Sequence, residues 1–436
     1  ESFYVKSKQC KLSKSSSPFA PFEHRADGLF LGEGAGALVL KRLNDCSPSR
    51  NKQGEGRIYA TIKGVGTGVN TTVSSQMALM EAGIADDAVE YVEVATPSLT
   101  PSKSGVEIAD LSAVYKGKKS SVRQYAVGCV QANVGYVGYA TGVASVIKTA
   151  LCLYNRYLPV TPRWEKPTTN TVWEKSAFYV CPDSRAWMKN PGERRVAGVN
   201  GVSAGGSHFH IVMSDLEGQN ERENVMSLPD DSVKLITVVG SSTNDVVNKI
   251  MQMQKDFQQS SDGRNYMRTL LQQSLDANPS RQDYVAAIVA SYLTLSDELL
   301  KAAKGIARAN KVGRDWASPA GSFFTPTPIR SDKIAFMYGD GASPYCGLGR
   351  DMYRIFPKMH EVVHDKTTEM WSTSDEAWNT REVLQSQMKH AEEKFVHRTV
   401  DMFRSGVFHS TIFTAIAREV LGIKPKAAFG LSMGEV

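Results

Sequence analysis

The chain contains 436 residues, more than one hydrophobic core usually organises, and this length predicts two or three domains. Hydrophobic residues make up 42% and charged residues 22%, which excludes wholesale disorder and is typical of a globular protein. A formal net charge of +6 permits an acidic protein partner but is too small to indicate nucleic-acid binding. The apolar stretches are too short for a membrane span. The six cysteines show no C-x-x-C spacing, so we expect no metal site and a reducing, cytoplasmic location.

The first block of the chain, from about Phe19 to Asp215, is rich in glycine and β-branched residues. The spacing of its apolar residues predicts helices over Ser74–Ala82 and Tyr139–Asn155. Strands are predicted between turns at Gly36–Leu43, Ile58–Val65, Tyr91–Ala95, Tyr125–Val130, Arg195–Val199 and Phe209–Met213. This alternation indicates an α/β layered sandwich.

Two further blocks follow, and both mix strands with long amphipathic helices. Between Leu216 and about Arg330 we predict a small α/β domain with a strand at Leu235–Gly240 and helices around Asp245–Gln258, Tyr266–Leu275 and Ser296–Ala309. From residue 331 to 436 we predict strands at Lys333–Met337 and Ala427–Phe429 and helices at Met352–His364, Ser374–Lys394 and Ile412–Leu421.

The last predicted strand leads into the G-x-S-x-G pattern of Gly430–Gly434. In a nucleophile elbow the two glycines let backbone segments approach closely, and the strained turn projects the serine hydroxyl outward. On this interpretation Ser432 is the catalytic nucleophile, and the backbone N–H of Met433 stabilises an oxyanion. A second backbone N–H would come from a Gly-rich turn, near Asp340. The alternative is an ordinary turn bounded by glycines, with Ser432 as a capping residue.

A nucleophilic serine also needs a base. His409 is one candidate, but we favour the alternative that it is a polar side chain on a helix or loop upstream of the elbow. Four other histidines lie on charged helical stretches and are expected to be solvated: His360, His364, His390 and His397. No histidine follows Ser432, so the machinery in this chain is incomplete.

The first block also contains a series of motifs in a fixed order. They are Pro21–Gly28, Gly32–Leu43, Ile58–Ala60, Ala82–Ile84, Tyr91–Glu93, Ala132–Gly135, Ala197–Val199 and Gly205–Gly206. Together they resemble the C-terminal half of the β-ketoacyl synthase family, which has the thiolase fold. The resemblance implies a layered α/β domain at residues 1–215.

The other two blocks extend this resemblance. Residues 216–330 are similar to the linker domain between ketosynthase and acyltransferase in multidomain fatty-acid and polyketide synthases. Residues 331–436 resemble the first part of a malonyl-type acyltransferase domain, with an α/β-hydrolase-like fold, through Tyr338–Gly341, Gly347–Arg350 and Gly430–Val436. Asp340 stands where that family has the Gln of a Gly-Gln-Gly loop, and a carboxylate there must point away from the developing negative charge. Leu431 replaces the histidine that most acyltransferases carry, which favours the acyltransferase-bearing subunit of polyunsaturated fatty acid synthases.

The first block departs from active ketosynthases at three positions. Ala95 and Tyr136 stand where the resemblance implies histidines, and Gln131 stands where it implies a lysine. A methyl group cannot donate a hydrogen bond or exchange a proton, and a phenol has the wrong length and pKa for an imidazole's role. We therefore expect these positions to be inactive in decarboxylative condensation. His210 is expected to be a packed or hydrogen-bonded residue of the closing strand.

The leading functional hypothesis is an acyltransferase component of a multienzyme polyunsaturated fatty acid or polyketide synthase. Ser432 would accept an acyl group from coenzyme A or from the phosphopantetheine thioester of an acyl carrier protein, without a tightly bound cofactor. Expected partners are the carrier protein and other synthase subunits, including an active ketosynthase, in a homodimer or larger complex. One alternative is a non-catalytic scaffold of the chain-length-factor type that pairs with an active ketosynthase. An α/β-hydrolase esterase shares the elbow but leaves the first block unexplained.

The chain begins with Glu1 and stops at Val436, four residues past Ser432. We therefore expect a piece of a longer polypeptide, with a base histidine and, for malonyl substrates, a carboxylate-binding arginine further on. On this view the 436-residue chain alone is inactive in condensation and acyl transfer. We also expect it to fold poorly alone, because an apolar face of the first block lacks a partner sheet.

Overall fold

The architecture comes from a computed structural model that describes most of the chain. The described residues are 12–14, 21–46, 58–95, 106–117, 124–167, 171–181, 184–190, 192–203, 205–216, 233–277, 283–327, 333–341, 343–349, 352–356, 359–366 and 392–435. The chain divides into two compact units. The first contains residues 1–224, 339–420 and 430–436, and the second contains residues 225–338 and 421–429.

The first unit is built on a six-stranded mixed sheet with the order β1-β8-β7-β2-β3-β5. Strands β4 and β6 form a separate pair. The bounds are β1 Thr61–Gly68, β2 Tyr91–Val94, β3 Tyr125–Gly128, β4 Tyr157–Leu158, β5 Phe178–Val180, β6 Arg185–Ala186, β7 Val196–Val202 and β8 His208–Ser214. The neighbouring pairs among β7, β2, β3 and β5 are parallel, whereas β8 runs antiparallel to β7 and β1. Strands β2 and β3 are buried along their whole length, as expected for central strands covered on both faces.

Helices cover both faces of this sheet. They are α1 Thr71–Ala82, α2 Val106–Val114, α3 Gln131–Val134, α4 Thr141–Asn155 and α5 Thr171–Lys175. The Asn70 side chain caps α1 by accepting a hydrogen bond from the Val73 amide, and Gly83 ends the helix at a φ of 63°. The two helices predicted for the first block are therefore confirmed as α1 and α4, with slightly different first residues.

The strand predicted at Gly36–Leu43 does not form: the structure gives residues 36–42 no regular element and Leu43–Asp45 a short 3₁₀ turn. Gly36 packs against Val143 of α4, but the opposite side is open and the Val39 side chain is 98% exposed. A β-branched and apolar run becomes a strand only where another strand supplies backbone hydrogen bonds. Among the described residues, no strand lies beside residues 36–43 to supply them. The other strands predicted for the first block are present, with ends that differ by up to three residues.

The second unit has its own sheet and its own core. Its elements are β9 Lys234–Gly240, α6 Thr243–Gln259, α7 Gly263–Asp276, β10 Tyr284–Ala290, α8 Leu295–Lys311, β11 Trp316–Ala317, β12 Phe323–Phe324 and β13 Ala335–Tyr338. Strands β11, β12, β10 and β9 form an antiparallel sheet in that order. One face buries Ile236, Ile288 and Phe324 against Leu299 and Ile306 of α8. The strand and three helices predicted for this block are confirmed.

The last block of the chain, residues 331–436, contributes helices to the first unit. They are α9 Met352–Ile355, α10 Met359–Lys366 and α11 Thr399–Ala415, and α11 continues into a π-helical turn at Ile416–Val420. Their apolar side chains form a core cluster that also includes Ala186 and Met188. The final strand, β14 Ala427–Gly430, pairs with β13. The predicted helix Ser374–Lys394 lies almost wholly outside the described residues, and no described helix is long and apolar enough to span a membrane.

Candidate functional site

The turn that follows β14 has the geometry of a strained elbow. Ser432 adopts a positive φ of 57°, a backbone conformation that costs a non-glycine residue about 1–3 kcal/mol. A Cβ at Gly430 would collide with the backbone carbonyl of Gly434, so the two ends of the turn meet as closely as two glycines allow. The Ser432 side chain is exposed, and residues Ser432–Glu435 form a short 3₁₀ turn. The arrangement holds the Ser432 hydroxyl at the surface of a tight, strained turn.

The loop of residues 339–349 and the Ser432 turn pack on the same helix. A Cβ at Gly406 of α11 would lie 2.5 Å from Cε of Met433 and 3.2 Å from Cγ of Pro344. Both side chains therefore rest directly on Gly406. The Asp340 carboxylate in this loop accepts a hydrogen bond from the Ser343 hydroxyl at 3.1 Å. The structure thus brings the segment of Asp340 and that of Met433 to one point on α11.

His409 lies on the same helix and is buried, with a side chain that is 2% exposed. Its Nε2 lies 2.7 Å from the Leu348 carbonyl oxygen. Its Nδ1 lies 2.6 Å from the Ser405 carbonyl oxygen and 3.2 Å from the Ser405 hydroxyl. Burial lowers the pKa of His409, although the backbone carbonyls of Ser405 and Leu348 oppose this shift. His409 thus lies on a helix upstream of the elbow, as the favoured interpretation has it, and both ring nitrogens face backbone carbonyls.

The expectation that His360 is solvated is wrong. Its side chain is 7% exposed and its ring lies 4.9 Å from the ring of Tyr353. The charged sequence around it suggested a solvated face, but α10 turns this side chain into the core cluster beneath α11. His397 is exposed as expected, whereas the side chains of His364 and His390 lie outside the described residues.

The three positions at which the resemblance implies other residues follow β2 or β3: Ala95 comes directly after β2, Gln131 comes shortly after β3, and Tyr136 lies beyond α3. Ala95 follows β2, is fully buried, and donates its backbone N–H to the Asn200 carbonyl at 2.7 Å. Gln131 is the first residue of α3, and its side-chain amide donates to the Ala95 carbonyl at 2.9 Å. Tyr136 is half-buried, and its backbone N–H donates a hydrogen bond to the Phe30 carbonyl oxygen at 2.8 Å. Ala95 and Gln131 are therefore in direct contact, and their pairing is made by an amide and a backbone carbonyl.

A buried carboxylate beside this pair was missed by the sequence analysis. Glu93 of β2 is fully buried and accepts hydrogen bonds from the Tyr91 hydroxyl at 2.5 Å, the Val130 amide at 2.5 Å and the Lys148 ammonium at 3.0 Å. Burial works to lower the pKa of Lys148, but the Glu93 carboxylate and nearby thiols outweigh it and the net shift is upward. A glutamate inside the apolar run of β2 was the available signal, because a buried carboxylate requires a cationic partner.

His210 is confirmed as a packed residue of the closing strand, β8. Its Nε2 lies 2.7 Å from the Tyr115 hydroxyl, and its Nδ1 lies 3.2 Å from the Ser75 hydroxyl. Burial lowers its pKa to about 3, so the imidazole is neutral. Among the described residues, no group of three or more His, Cys, Asp or Glu side chains is placed to hold a metal ion.

Comparison with known proteins shows what two segments in the first part of the chain are similar to. Residues 62–165 match the family model "Beta-ketoacyl synthase, C-terminal domain", and residues 1–46 match "Beta-ketoacyl synthase, N-terminal domain". These two segments are therefore ketosynthase-like, and they lie in a part of the chain that has mixed α/β structure. The match at residues 1–46 assigns the motifs Pro21–Gly28 and Gly32–Leu43 to the N-terminal family domain, whereas the resemblance had placed them in the C-terminal half.

The individual relatives are named as polyunsaturated fatty acid and polyketide synthases. The chain is 39% identical, over an alignment of 465 residues, to a polyunsaturated fatty acid synthase subunit from Thraustochytrium, covering 100% of this chain and 22% of the relative. It is 24% identical to polyketide synthase GfsA of Streptomyces halstedii, covering 95% of this chain and 5% of that protein. A ketosynthase from module 6 of the bacillaene synthase of Bacillus subtilis aligns with a TM-score of 0.44 and 24% identity, covering 74% of this chain and 54% of that structure. The chain thus spans about a fifth or less of these synthase polypeptides.

Proposed function

We propose that this chain provides acyl transfer within a multienzyme polyunsaturated fatty acid or polyketide synthase, with Ser432 as the nucleophile. The observation that carries the proposal is the turn at Ser432, whose positive φ and glycine contact hold an exposed hydroxyl in a strained conformation. The 39% identity to a polyunsaturated fatty acid synthase subunit over the whole chain supports the setting. The proposed division is a ketosynthase-like domain at 1–215, a linker domain at 216–330 and the beginning of an acyltransferase domain at 331–436.

In the proposed reaction, Oγ of Ser432 attacks the carbonyl carbon of an acyl thioester. The carbon–sulfur bond breaks, the acyl group becomes an ester of Ser432, and the thiol of coenzyme A or phosphopantetheine leaves with the proton that the serine gave up. A second thiol, on an acyl carrier protein, or a water molecule then takes the acyl group by the reverse sequence. The backbone N–H groups of Met433 and Asp340 are proposed as the oxyanion donors, and their segments meet at Gly406.

The experiment is covalent labelling of the polypeptide encoded by the complete open reading frame. After incubation with radiolabelled malonyl-CoA and, separately, acetyl-CoA and a long-chain acyl-CoA, we expect one acyl group on the peptide that contains Ser432. Ser432→Ala should abolish the label, whereas Ser410→Ala, a serine on α11 with intermediate exposure, should keep it. An unlabelled wild-type protein, or label that survives Ser432→Ala, would refute the proposal.

For the ketosynthase-like domain we propose a scaffold function, and the contact between Ala95 and Gln131 favours it. The Gln131 amide is paired with the Ala95 carbonyl, and neither side chain can shuttle a proton near neutral pH. This domain would pair with an active ketosynthase or a second copy and would help to shape the acyl-binding surface. Release of CO₂ from a malonyl thioester should stay at the buffer rate in the full polypeptide, and a clear enzymatic rate would remove this part of the proposal.

A further inference from the structure

One face of α11 contacts both segments of the proposed acyl-transfer site. Phe403 packs on Gly341, Gly406 contacts Pro344 and Met433, and His409 reaches the Leu348 carbonyl. The three helix positions are spaced by three residues and therefore lie along one side of the helix. The loop 339–349 is thus held near both of its ends, and the Ser432 turn rests on the residue between them.

The contacts at residues 403 and 406 are van der Waals contacts, whereas the contact at His409 is a directional hydrogen bond. A neutral imidazole carries one N–H, and the two ring nitrogens have different neighbours. If Nε2 carries the proton, it donates to the Leu348 carbonyl at 2.7 Å, and Nδ1 accepts from the Ser405 hydroxyl at 3.2 Å. The other tautomer would leave a lone pair on Nε2 facing the lone pairs of a carbonyl oxygen. The Ser405 carbonyl oxygen lies 2.6 Å from Nδ1, so each tautomer donates to one of the two carbonyls and turns a lone pair toward the other. The Nε2–H tautomer is the one that binds the loop, and the two backbone carbonyls together fix the orientation of the ring.

Because His409 is buried, loss of its hydrogen bond to Leu348 is not compensated by water. His409 is 2% exposed and Ser405 is fully buried, so water cannot replace the imidazole at the Leu348 carbonyl without opening the packing. The ring also packs edge-on against Phe408 with centroids 5.6 Å apart, and a Cβ at Gly349 would lie 3.1 Å from its Cδ2. The imidazole therefore has little freedom to move, and its hydrogen bond to Leu348 restrains the loop at that residue.

We propose that His409 is a positioning residue for acyl transfer: its Nε2–H holds loop 339–349 on α11, and thereby places the Asp340 backbone N–H relative to Ser432. This inference rests on the proposed function of Ser432. His409 does not touch the acyl group and transfers no proton. Its effect is to remove the freedom of a loop that must present a backbone donor, and misplacement of a reacting group by about 1 Å can cost about 100-fold in rate.

The test compares two variants in the complete polypeptide. His409→Leu keeps an apolar side chain of similar bulk but removes the donor, and His409→Gln keeps an N–H that can reach the Leu348 carbonyl. We expect His409→Leu to lower the saturating rate of acyl-Ser432 formation by about 10- to 100-fold with little change in the half-saturating thioester concentration. His409→Gln should recover most of that loss. Thr414→Val, which removes a hydroxyl bonded to the Ser410 carbonyl one turn further along α11, serves as the control and should retain the wild-type rate.

Two structural readouts separate positioning from general stability. Nitrogen-15 NMR of the wild-type imidazole should show the Nε2–H tautomer, and amide exchange at residues 343–349 should accelerate in His409→Leu while the β2 and β3 amides stay protected. An Nδ1–H tautomer, a His409→Leu rate within two-fold of wild type, or no rescue by His409→Gln would overturn the proposal. If the wild-type protein forms no acyl-Ser432, the proposed function fails and this inference with it. If it does form the adduct, these variants test the inference alone.

Discussion

Replacing Glu93 with glutamine should destabilise the sheet of the first unit more than the same replacement of an exposed glutamate does. One carboxylate oxygen of Glu93 accepts from the Val130 amide at 2.5 Å, and the other accepts from the Tyr91 hydroxyl at 2.5 Å and the Lys148 ammonium at 3.0 Å. A glutamine side chain presents one oxygen and one NH₂ group. Whichever way it is turned, the NH₂ group faces either the Val130 N–H or the Lys148 ammonium, and neither of these can accept a hydrogen bond.

The magnitude follows from burial. Glu93 is fully buried and the Lys148 side chain is 14% exposed, so the substitution leaves a largely desolvated ammonium without its counter-charge. Breaking one partner of a buried pair costs about 3–5 kcal/mol. Glu81→Gln is the matched control, because Glu81 also accepts from a backbone amide, that of Val65 at 2.6 Å, but is exposed. We expect its cost to stay at or below about 1 kcal/mol.

The assay is native-state amide exchange, because the chain has two compact units and global unfolding need not be two-state. The opening free energy of the Val130 amide and of the β2 and β3 amides should fall in Glu93→Gln. The double variant Glu93→Gln with Lys148→Met removes both charges and should cost less than the sum of the single variants. An effect of Glu93→Gln no larger than that of Glu81→Gln, or strict additivity in the double variant, would refute the reasoning.

Three further results are expected. Burial lowers the pKa of His210 from 6.5 to about 3, so between these values the unfolded chain binds a proton that the folded protein does not. The opening free energy of the β8 amides should therefore fall by about 1.4 kcal/mol per unit as the pH decreases below 6.5, and His210→Asn should flatten this dependence in native-state amide exchange. An unchanged slope would contradict the assignment. Gly430→Ala places a Cβ against the backbone carbonyl of Gly434, so the rate of acyl-Ser432 formation should drop by about 100-fold while the far-ultraviolet circular dichroism spectrum is unchanged. Labelling at the wild-type rate would contradict the elbow assignment. Glu298→Ala leaves the buried Ser322 hydroxyl without the carboxylate to which it donates at 2.6 Å, and amide exchange of β12 should report a loss of about 1–3 kcal/mol in local stability. Equal protection of the β12 amides in the variant and the wild type would show that this carboxylate does not stabilise the strand.

The long helices could be predicted from the sequence because their signal is local. Helix α6 begins where the Ser242 side chain accepts from the Asp245 amide, and α1 begins where Asn70 does the same for Val73. These caps and the apolar spacing after them lie within a few residues of each other along the chain. The elbow could be predicted for the same reason, since its two glycines and its serine are adjacent in sequence.

Strand pairing and burial could not be predicted in this way, because both depend on residues that are distant in sequence. The segment Gly36–Leu43 has strand-forming residues, yet among the described residues no strand pairs with it and Val39 is exposed. His360 lies in a charged stretch, yet it is buried because α10 packs beneath α11. A residue's own type and neighbours do not state which distant element will lie against it.

The sequence by itself determined which chemical groups the chain contains. They include a serine between glycines, and an alanine, a glutamine and a tyrosine at the positions where the resemblance to ketosynthases implies imidazoles and an ammonium. The tertiary structure alone decided which groups act together. It paired Glu93 with Lys148, 55 positions apart, and it placed His409 against the Leu348 carbonyl, 61 positions away. The physical reason is that hydrogen bonds and ion pairs act over a few ångströms in space, whereas sequence patterns report only on residues that are neighbours along the chain or on one face of a single element.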